Sequence, residues 1–198
     1  MLVFLDRQHS GNPSRRKSMG AGADIDGDGK IELWEMESTW TAKYLLSAEL
    51  RLRELGHEVI PISDGTYQAR HRRCNKMVIS GQPSVYVAAH INAGHGKYGS
   101  VFFDYRSTSG PVLAKEIAKQ MSLQLRELNG DARAISSNPK DWTKTAWYTI
   151  RGTTSAAVCY EPCFIDTRAH RPLFTSQGMA RIGKALADGI DQYFRGVI

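Results

Sequence analysis

Cysteine is scarce in this 198-residue chain, which holds only Cys74, Cys159 and Cys163. An odd number cannot pair fully within one chain, and the spacing matches no zinc-finger pattern. This excludes a disulfide-stapled scaffold and a cysteine-built zinc module, and it points to synthesis in a reducing compartment. Long apolar runs are missing as well. No segment approaches the roughly 20 residues that span a bilayer, and the start "MLVFLDRQHSGNPSRRKS" has no basic region ahead of its short apolar segment. Neither membrane insertion nor a signal peptide is expected, so synthesis in the cytoplasm is. Internal repeats and low-complexity tracts are also lacking.

What is present suits one domain. With 41% hydrophobic and 23% charged residues, the chain can bury one core and is short for two, so a single domain over residues 1–198 is expected. A net charge of +6 and a pI near 9.3 favour a polyanionic partner, which on charge alone could be nucleic acid, anionic lipid or an anionic cell wall. The basic residues are spread rather than massed on one helix, and no RNA-binding or helix-turn-helix signature accompanies them, so nucleic acid is not the expected partner.

Apolar periodicity supplies the elements. "LVFLD" (2–6) reads as a buried strand and residues 10–23 as a surface loop rich in Gly, Ser and basic residues. From Leu33 onward, Trp40, Tyr44, Leu45, Ala48, Leu52 and Leu55 recur at helical steps, with Gly56 as the C-cap. "HEVIPI" (57–62) reads as a strand, 67–78 as a short basic helix, 84–89 and 100–105 as strands, and 111–128 as a helix. "TAWYTI" (145–150) and "AAVCYE" (156–161) read as strands, and 176–194 as a closing helix. The alternation predicts an α/β fold: a three-layer sandwich whose twisted, mostly parallel sheet of about six strands is flanked by helices. Ligands of such sheets gather at the carboxyl ends of the strands.

One stretch, "DIDGDGKIELWE", fills the template of a calcium loop. With Asp24 first, Asp26, Asp28, Glu32 and Glu35 occupy the side-chain ligand positions, Lys30 the backbone-carbonyl position, Gly29 the sharp turn and Ile31 the apolar site. Gly20 and Gly22 argue against an entering helix, and no second loop exists, so a structural calcium site is expected rather than a sensor. An acidic turn that binds nothing is the plainer alternative.

Three polar residues fall at strand ends: His9 after "LVFLD", His90 after "VYVAA" and Glu161 after "AAVCY". Two such histidines with nearby carboxylates form a candidate zinc site, because catalytic zinc commonly takes three His or carboxylate ligands and leaves a position open. Glu37 is the candidate third ligand. Two helical residues turn a side chain by about 200°, so Glu35 and Glu37 are expected to diverge, one closing the calcium loop and the other facing the sheet. His57, His71, His95 and His170 compete as ligands, with His95 able to reach substrate from the loop after His90.

These residues, in this order, resemble the zinc-dependent N-acetylmuramoyl-L-alanine amidases of the type 3 family. "FLDRQHSG", a long helix from Glu37 to Gly56, "ARHRRCN" with Arg70 and Asn75, "YVAAHINAG" and "AAVCYEPCFID" carry the resemblance along the whole chain. Departures are "RQH" where Gly often precedes the His, Pro162 and Cys163 after Glu161, and the calcium loop (about 12–36), an insertion that most members lack. The resemblance implies one zinc held by His9, Glu37 and His90, Glu161 as catalytic base and then acid, and Asn92 following the second histidine; Asn92 and, from its loop position alone, His95 are the candidate substrate contacts, with a solvent-facing His95 as the alternative. It implies cleavage of the amide between N-acetylmuramic acid and L-alanine in bacterial peptidoglycan by a monomer. With one calcium ion bound beside the site and no separate wall-binding domain, a phage or prophage endolysin acting on the wall after release is the expected setting. A zinc peptidase cutting within the stem peptide and a non-hydrolytic wall-binding module are the alternatives.

Overall fold

The computed structural model describes residues 1–9 and 19–197. The basic part of the expected surface loop and the first residues of the calcium-loop insertion, 10–18, lie outside the described residues. In chain order the elements are β1 (Leu2–Arg7), α1 (Glu37–Glu54), β2 (Glu58–Ile62), α2 (Tyr67–Met77), β3 (Ser84–Ala89), β4 (Gly99–Asp104), α3 (Gly110–Gln124), β5 (Ala132–Ser137), α4 (Lys144–Ile150), β6 (Ala156–Glu161) and α5 (Ser176–Val197). One six-stranded sheet has the order β2-β1-β3-β6-β4-β5. β1, β2, β3 and β6 run parallel; β4 and β5 are parallel to each other and antiparallel to β6.

The central strand shows why the sheet lies between two layers. Every residue of β3 is buried, and its side chains alternate between two cores. Val85, Val87 and Ala89 join Trp40, Tyr44, Ile117 and Ile182 from α1, α3 and α5, whereas Tyr86 and Ala88 join Cys74, Ala146 and Ile150 from α2 and α4. α1 ends as its sequence implies. Gly56 takes φ +83° and the amide of His57 donates to the Leu52 carbonyl at 3.0 Å, a left-handed cap that a Cβ would strain.

α5 approaches α1 where Gly183 has no side chain. A Cβ there would meet the Tyr44 carbonyl and lie 2.7 Å from Ser47 Cβ and 2.8 Å from the Ala48 nitrogen. Gly183→Ala is therefore expected to cost about 1–3 kcal/mol by forcing two packed helices apart. Chemical denaturation checks it, and an unchanged midpoint would refute the close-approach argument.

Two elements depart from the sequence-based expectation. Residues 145–150 form helix α4, not a strand: Ala146, Trp147, Thr149 and Ile150 are buried at helical spacing, and Thr149 Oγ1 donates back to the Ala146 carbonyl at 2.7 Å. Its β-branched and aromatic composition is overridden by the groove it fills over β3, β4 and β6. The sixth strand is instead β5, an edge strand whose "ARAISS" is largely half-exposed, with the small Ala132 and Ala134 against one core and Ile135 against the other. α1 begins at Glu37, as the resemblance implies, and a 3-10 turn over Leu33–Glu35 and an extended Met36 precede it.

Candidate metal centre and its carboxylates

The carboxyl ends of β1 and β3 lie side by side, with Arg7 in register with Ala89. The residues just beyond them, His9 and His90, therefore converge, their rings 5.2 Å apart in a T-shaped arrangement. Glu37, at the first position of α1, reaches both: Oε2 lies 3.3 Å from His9 Nε2 and Oε1 lies 3.0 Å from His90 Nδ1. One ligand atom from each of the three residues falls within 4.8 Å of the others, which fits a single metal ion with two imidazole donors and one carboxylate.

The carboxylate is held from several sides. The amides of Ile91 and Ala21 donate to it at 2.9 and 3.0 Å, and Gly20, at φ +78°, gives the room that a Cβ would occupy. Burial alone would raise the Glu37 carboxyl, but the hydrogen bond with His90 and the charges of both histidines hold it below its usual range. Burial likewise disfavours a charged His90, yet the bond to Glu37 and its charge outweigh this and raise the ring. Burial wins at His9 and lowers it. The Tyr44 hydroxyl donates to the His90 carbonyl at 2.8 Å, pinning the backbone at the ligand.

Glu161 ends β6, beside β3, and lies outside the three-residue cluster. Burial pushes its carboxyl up, the His90 charge pulls it back and Glu37 pushes it up again. The nearby Asn92 side chain and the Cys159 thiol, 3.8 Å from Oε1, both favour its ionised form. Cys159 shares a sheet face with Glu161, whereas Cys163, beyond the strand, belongs to the opposite core. Asn92 thus sits next to Glu161, its backbone bridged to Phe164. His95 stands farther out, its side chain 82% exposed and its backbone at φ +60°, on a loop tied down by Asp166. His57, His71 and His170 are structural: they bond Asp191 at 3.1 Å, the Thr149 carbonyl at 2.8 Å and the Phe164 amide at 2.9 Å.

The acidic loop closes at its neck on Glu37. Gly22 bridges Met36, and the Glu37 amide donates to the Ala21 carbonyl at 2.7 Å. Glu35 and Glu37 take separate partners, Glu35 the amides of the acidic loop and Glu37 the two histidines, and the residue between them, Met36, is extended rather than helical. Glu35 is fully buried and accepts from the amides of Ile25 at 2.5 Å and Glu32 at 2.9 Å. Asp24 accepts from Gly27 and Gly29, and Asp28 from the Lys30 amide. Carboxylate oxygens of Asp24, Asp26 and Glu35, and of Asp26, Asp28 and Glu32, come within 4.8 Å of one another.

Sequence reasoning missed a buried network beneath His9. Asp6, fully buried at the end of β1, accepts from Arg70 Nη1 at 2.7 Å, from Gln8 Nε2 at 2.5 Å and from the Tyr86 hydroxyl. Arg70 also donates to the carbonyls of Arg7, Gly65 and Ser63 at 3.2, 3.0 and 3.3 Å, which fixes the turn leading to His9. An Asp closing an otherwise apolar strand was the signal for it, since a carboxylate there needs a buried cation.

No curated protein matches the chain at a significant level. Among solved structures, Cwp6 from Clostridium difficile is similar with a TM-score of 0.75 at 21% identity over 96% of this chain, which spans only 29% of that protein. The N-acetylmuramoyl-L-alanine amidase AmiC2 of Nostoc punctiforme is similar with a TM-score of 0.74 at 17% identity, over 98% of this chain and 97% of its own. The catalytic domain of the CD27L endolysin targeting Clostridia Difficile follows with a TM-score of 0.65 at 16% identity, over 97% of both chains. At such identities the likeness shows the α/β fold. The Amidase_3 family model, described as N-acetylmuramoyl-L-alanine amidase, matches residues 3–192, and with that the chain belongs to this family of peptidoglycan amidases.

Proposed function

We propose that the protein is a zinc-dependent peptidoglycan hydrolase that cleaves the amide between N-acetylmuramic acid and L-alanine. The observation that carries this reading is the convergence of His9, Glu37 and His90 at the strand ends with the buried Glu161 beside them, in a chain of this family. The two imidazoles and one carboxylate are the donors that zinc takes in three-ligand sites, and zinc bound there would supply Lewis acidity and make water acidic enough to ionise near neutral pH. The protein's own groups do the rest. Ile91 and Ala21 hold Glu37 in one orientation, and Glu37 in turn orients both rings. Glu161, its proton affinity raised by burial, takes the proton of the attacking water at a carboxylate oxygen and delivers it to the departing amine. Asn92 orients Glu161, and His95 reaches substrate from the exposed loop.

We assign calcium to the acidic loop, with Asp24, Asp26, Asp28, Glu32 and Glu35 as side-chain ligands and Lys30 through its carbonyl. The support is the two carboxylate groups that already converge, and the neck that joins the loop to Glu37. Substituting both Asp24 and Asp26 with Ala is expected to abolish calcium binding and lower both thermal stability and zinc retention. If all three are unchanged, the assignment fails.

The biological setting we propose is lysis by a phage or prophage enzyme working as a monomer. Similarity to an endolysin catalytic domain supports it, and a net charge of +6 would hold the enzyme on an anionic wall. Among the described residues no helix is long and apolar enough to cross a membrane. The deciding measurement is mass spectrometry of peptidoglycan treated with the zinc- and calcium-supplied protein. Free stem peptides beginning at L-alanine are expected; cuts within the stem would make the protein a peptidase, and intact stems a wall-binding module.

A further inference from the structure

The reversed direction of β4 brings polar residues together at the end of the sheet remote from the metal centre. β4 runs antiparallel to β6, with Phe103 opposite Val158. The turn after β4, which carries Arg106 and Ser107, therefore lies where β6 begins and not where it ends at Glu161. α4 stops beside the same place, at Ile150, and Arg151 follows it.

Three cavities adjoin there. One, of about 390 Å³, opens between α2 and α4 and is lined by Arg72, Arg106 and Arg151. The second, of about 370 Å³, shares Arg106 and Arg151 and passes Ser107, Thr108 and Thr154. The third, of about 510 Å³, shares Thr154 with the second and reaches Gln82 and Ser84, at the start of β3. Neighbours that share walls form one groove, longer than a single small ion would fill.

The groove is rich in donors and poor in acids. Asp104 is the one acid among its described lining residues, and Arg106 already pairs with it at 2.6 Å. Arg72 and Arg151 are exposed and, among the described residues, have no carboxylate partner. Arg151 stacks 4.7 Å from the ring centroids of both Trp147 and Tyr148, which holds its guanidinium flat and leaves the edge free to donate. Asn75 ties α2 to the segment after α4, donating to the Gly152 carbonyl at 2.9 Å and accepting from the Thr154 amide at 2.9 Å. Guanidiniums gathered without counter-charges repel one another, and a bound polyanion relieves that repulsion.

The kind of anion follows from the donors. Arg72 on α2, Arg151 after α4 and the hydroxyls of the β4 turn belong to separate elements, so an occupant must accept on several oxygens; phosphate does this, whereas a carboxylate accepts in one plane. The hydroxyls along the groove suit the polyol links between phosphates. A nucleic acid would need open rings for its bases, but Trp147 is buried, with Arg106 at 5.4 Å and Arg151 at 4.7 Å from its ring centroid.

We propose that this groove binds a linear phosphodiester polymer of the bacterial wall, with Arg72 and Arg151 taking its phosphates, and so holds the enzyme on the wall while the metal centre works. The proposal rests on the peptidoglycan-hydrolase reading and gives the attachment by charge a place. The groove meets β3 and β6 at their amino ends and the metal centre lies at the carboxyl ends, so polymer and peptidoglycan are engaged without competing.

The test is calorimetric titration of the full-length protein with a synthetic glycerol-phosphate oligomer, with inorganic phosphate, and with an oligonucleotide and an oligogalacturonate of matched charge. The wild type is expected to bind the glycerol-phosphate oligomer most tightly. Arg72→Ala and Arg151→Ala should each weaken it about tenfold, the worth of one charge-assisted pair, and the double variant about a hundredfold. Substituting Lys115 and Lys119 with Ala removes the same charge from exposed positions of α3, in the layer across the sheet, and should leave the affinity unchanged because distant charges are screened. An equal loss in the lysine variant, another probe that binds as tightly, or no binding overturns the proposal. Peptide release from peptidoglycan stripped of phosphodiester polymer should be the same for the double arginine variant and the wild type. A slower variant there would place the arginines in the cleavage and overturn the anchoring role. A protein that binds the oligomer through these arginines yet releases no peptide refutes the hydrolase reading, whereas one that releases peptide without binding the oligomer refutes the groove alone.

Discussion

Glu161→Gln is expected to keep zinc at full stoichiometry and to lower peptide release by about 10²–10⁴-fold, the usual worth of a positioned acid–base group. The separation of the two effects follows from the geometry. Glu161 is not among the three residues whose donor atoms converge, so its loss leaves the metal donors intact. Glutamine keeps the size of the side chain and can still meet Asn92 and Cys159, so the fold around it should persist. It cannot accept and return a proton. His90→Ala is the contrasting variant: it removes a donor and strips Glu37 of the ring that lies 3.0 Å away, so zinc and activity should disappear together. Metal content by elemental analysis and peptide release by mass spectrometry separate the two, and a Glu161→Gln enzyme within tenfold of wild type would remove Glu161 from the chemistry.

Arg70→Ala is expected to cost about 3–5 kcal/mol, because it strands the buried Asp6 carboxylate. Arg70 and Asp6 side chains are 6% and 0% exposed, so water cannot replace the lost partner. The pH dependence carries the signature. Burial already raises the Asp6 carboxyl, and Arg70 pulls it back only in part. A carboxyl raised on folding loses stability as pH rises from its unfolded toward its folded value. Without Arg70 the folded value rises further, so the deficit is full at neutral pH and shrinks as acid protonates Asp6. Urea unfolding at neutral and mildly acidic pH checks this; a deficit that does not change with pH would mean that Arg70 acts by packing alone. Activity should fall too, since the same guanidinium holds the Arg7 carbonyl just before His9.

How much of this was legible differs from residue to residue. His9, His90 and Glu161 could be placed at strand ends because an apolar strand that ends in a polar residue announces where its carboxyl end lies, and parallel strands bring such ends together. Asp6 was passed over because its partner is 64 residues away on α2, and no local pattern encodes that pairing. The separate partners of Glu35 and Glu37 were anticipated from helical rotation, yet Met36 between them is extended and α1 begins only at Glu37, a break that local periodicity does not reveal.

By itself the sequence determined the elements whose apolar periodicity is complete: the buried strands β1, β3 and β6, the long helices α1, α3 and α5, and the acidic loop with its glycines. Their burial on one or both faces leaves a signature that short-range pattern captures. Only the tertiary structure decided the identity of α4 and β5. "TAWYTI" is helical because a groove over the sheet accepts Trp147 and Ile150 at helical spacing, and "ARAISS" is a strand because β4 offers it a free edge. It alone also brought Arg72 of α2, Arg106 of the turn after β4 and Arg151 at the end of α4 around one cleft. Residues so far apart along the chain come together only when the sheet sets the distance between the helices that carry them.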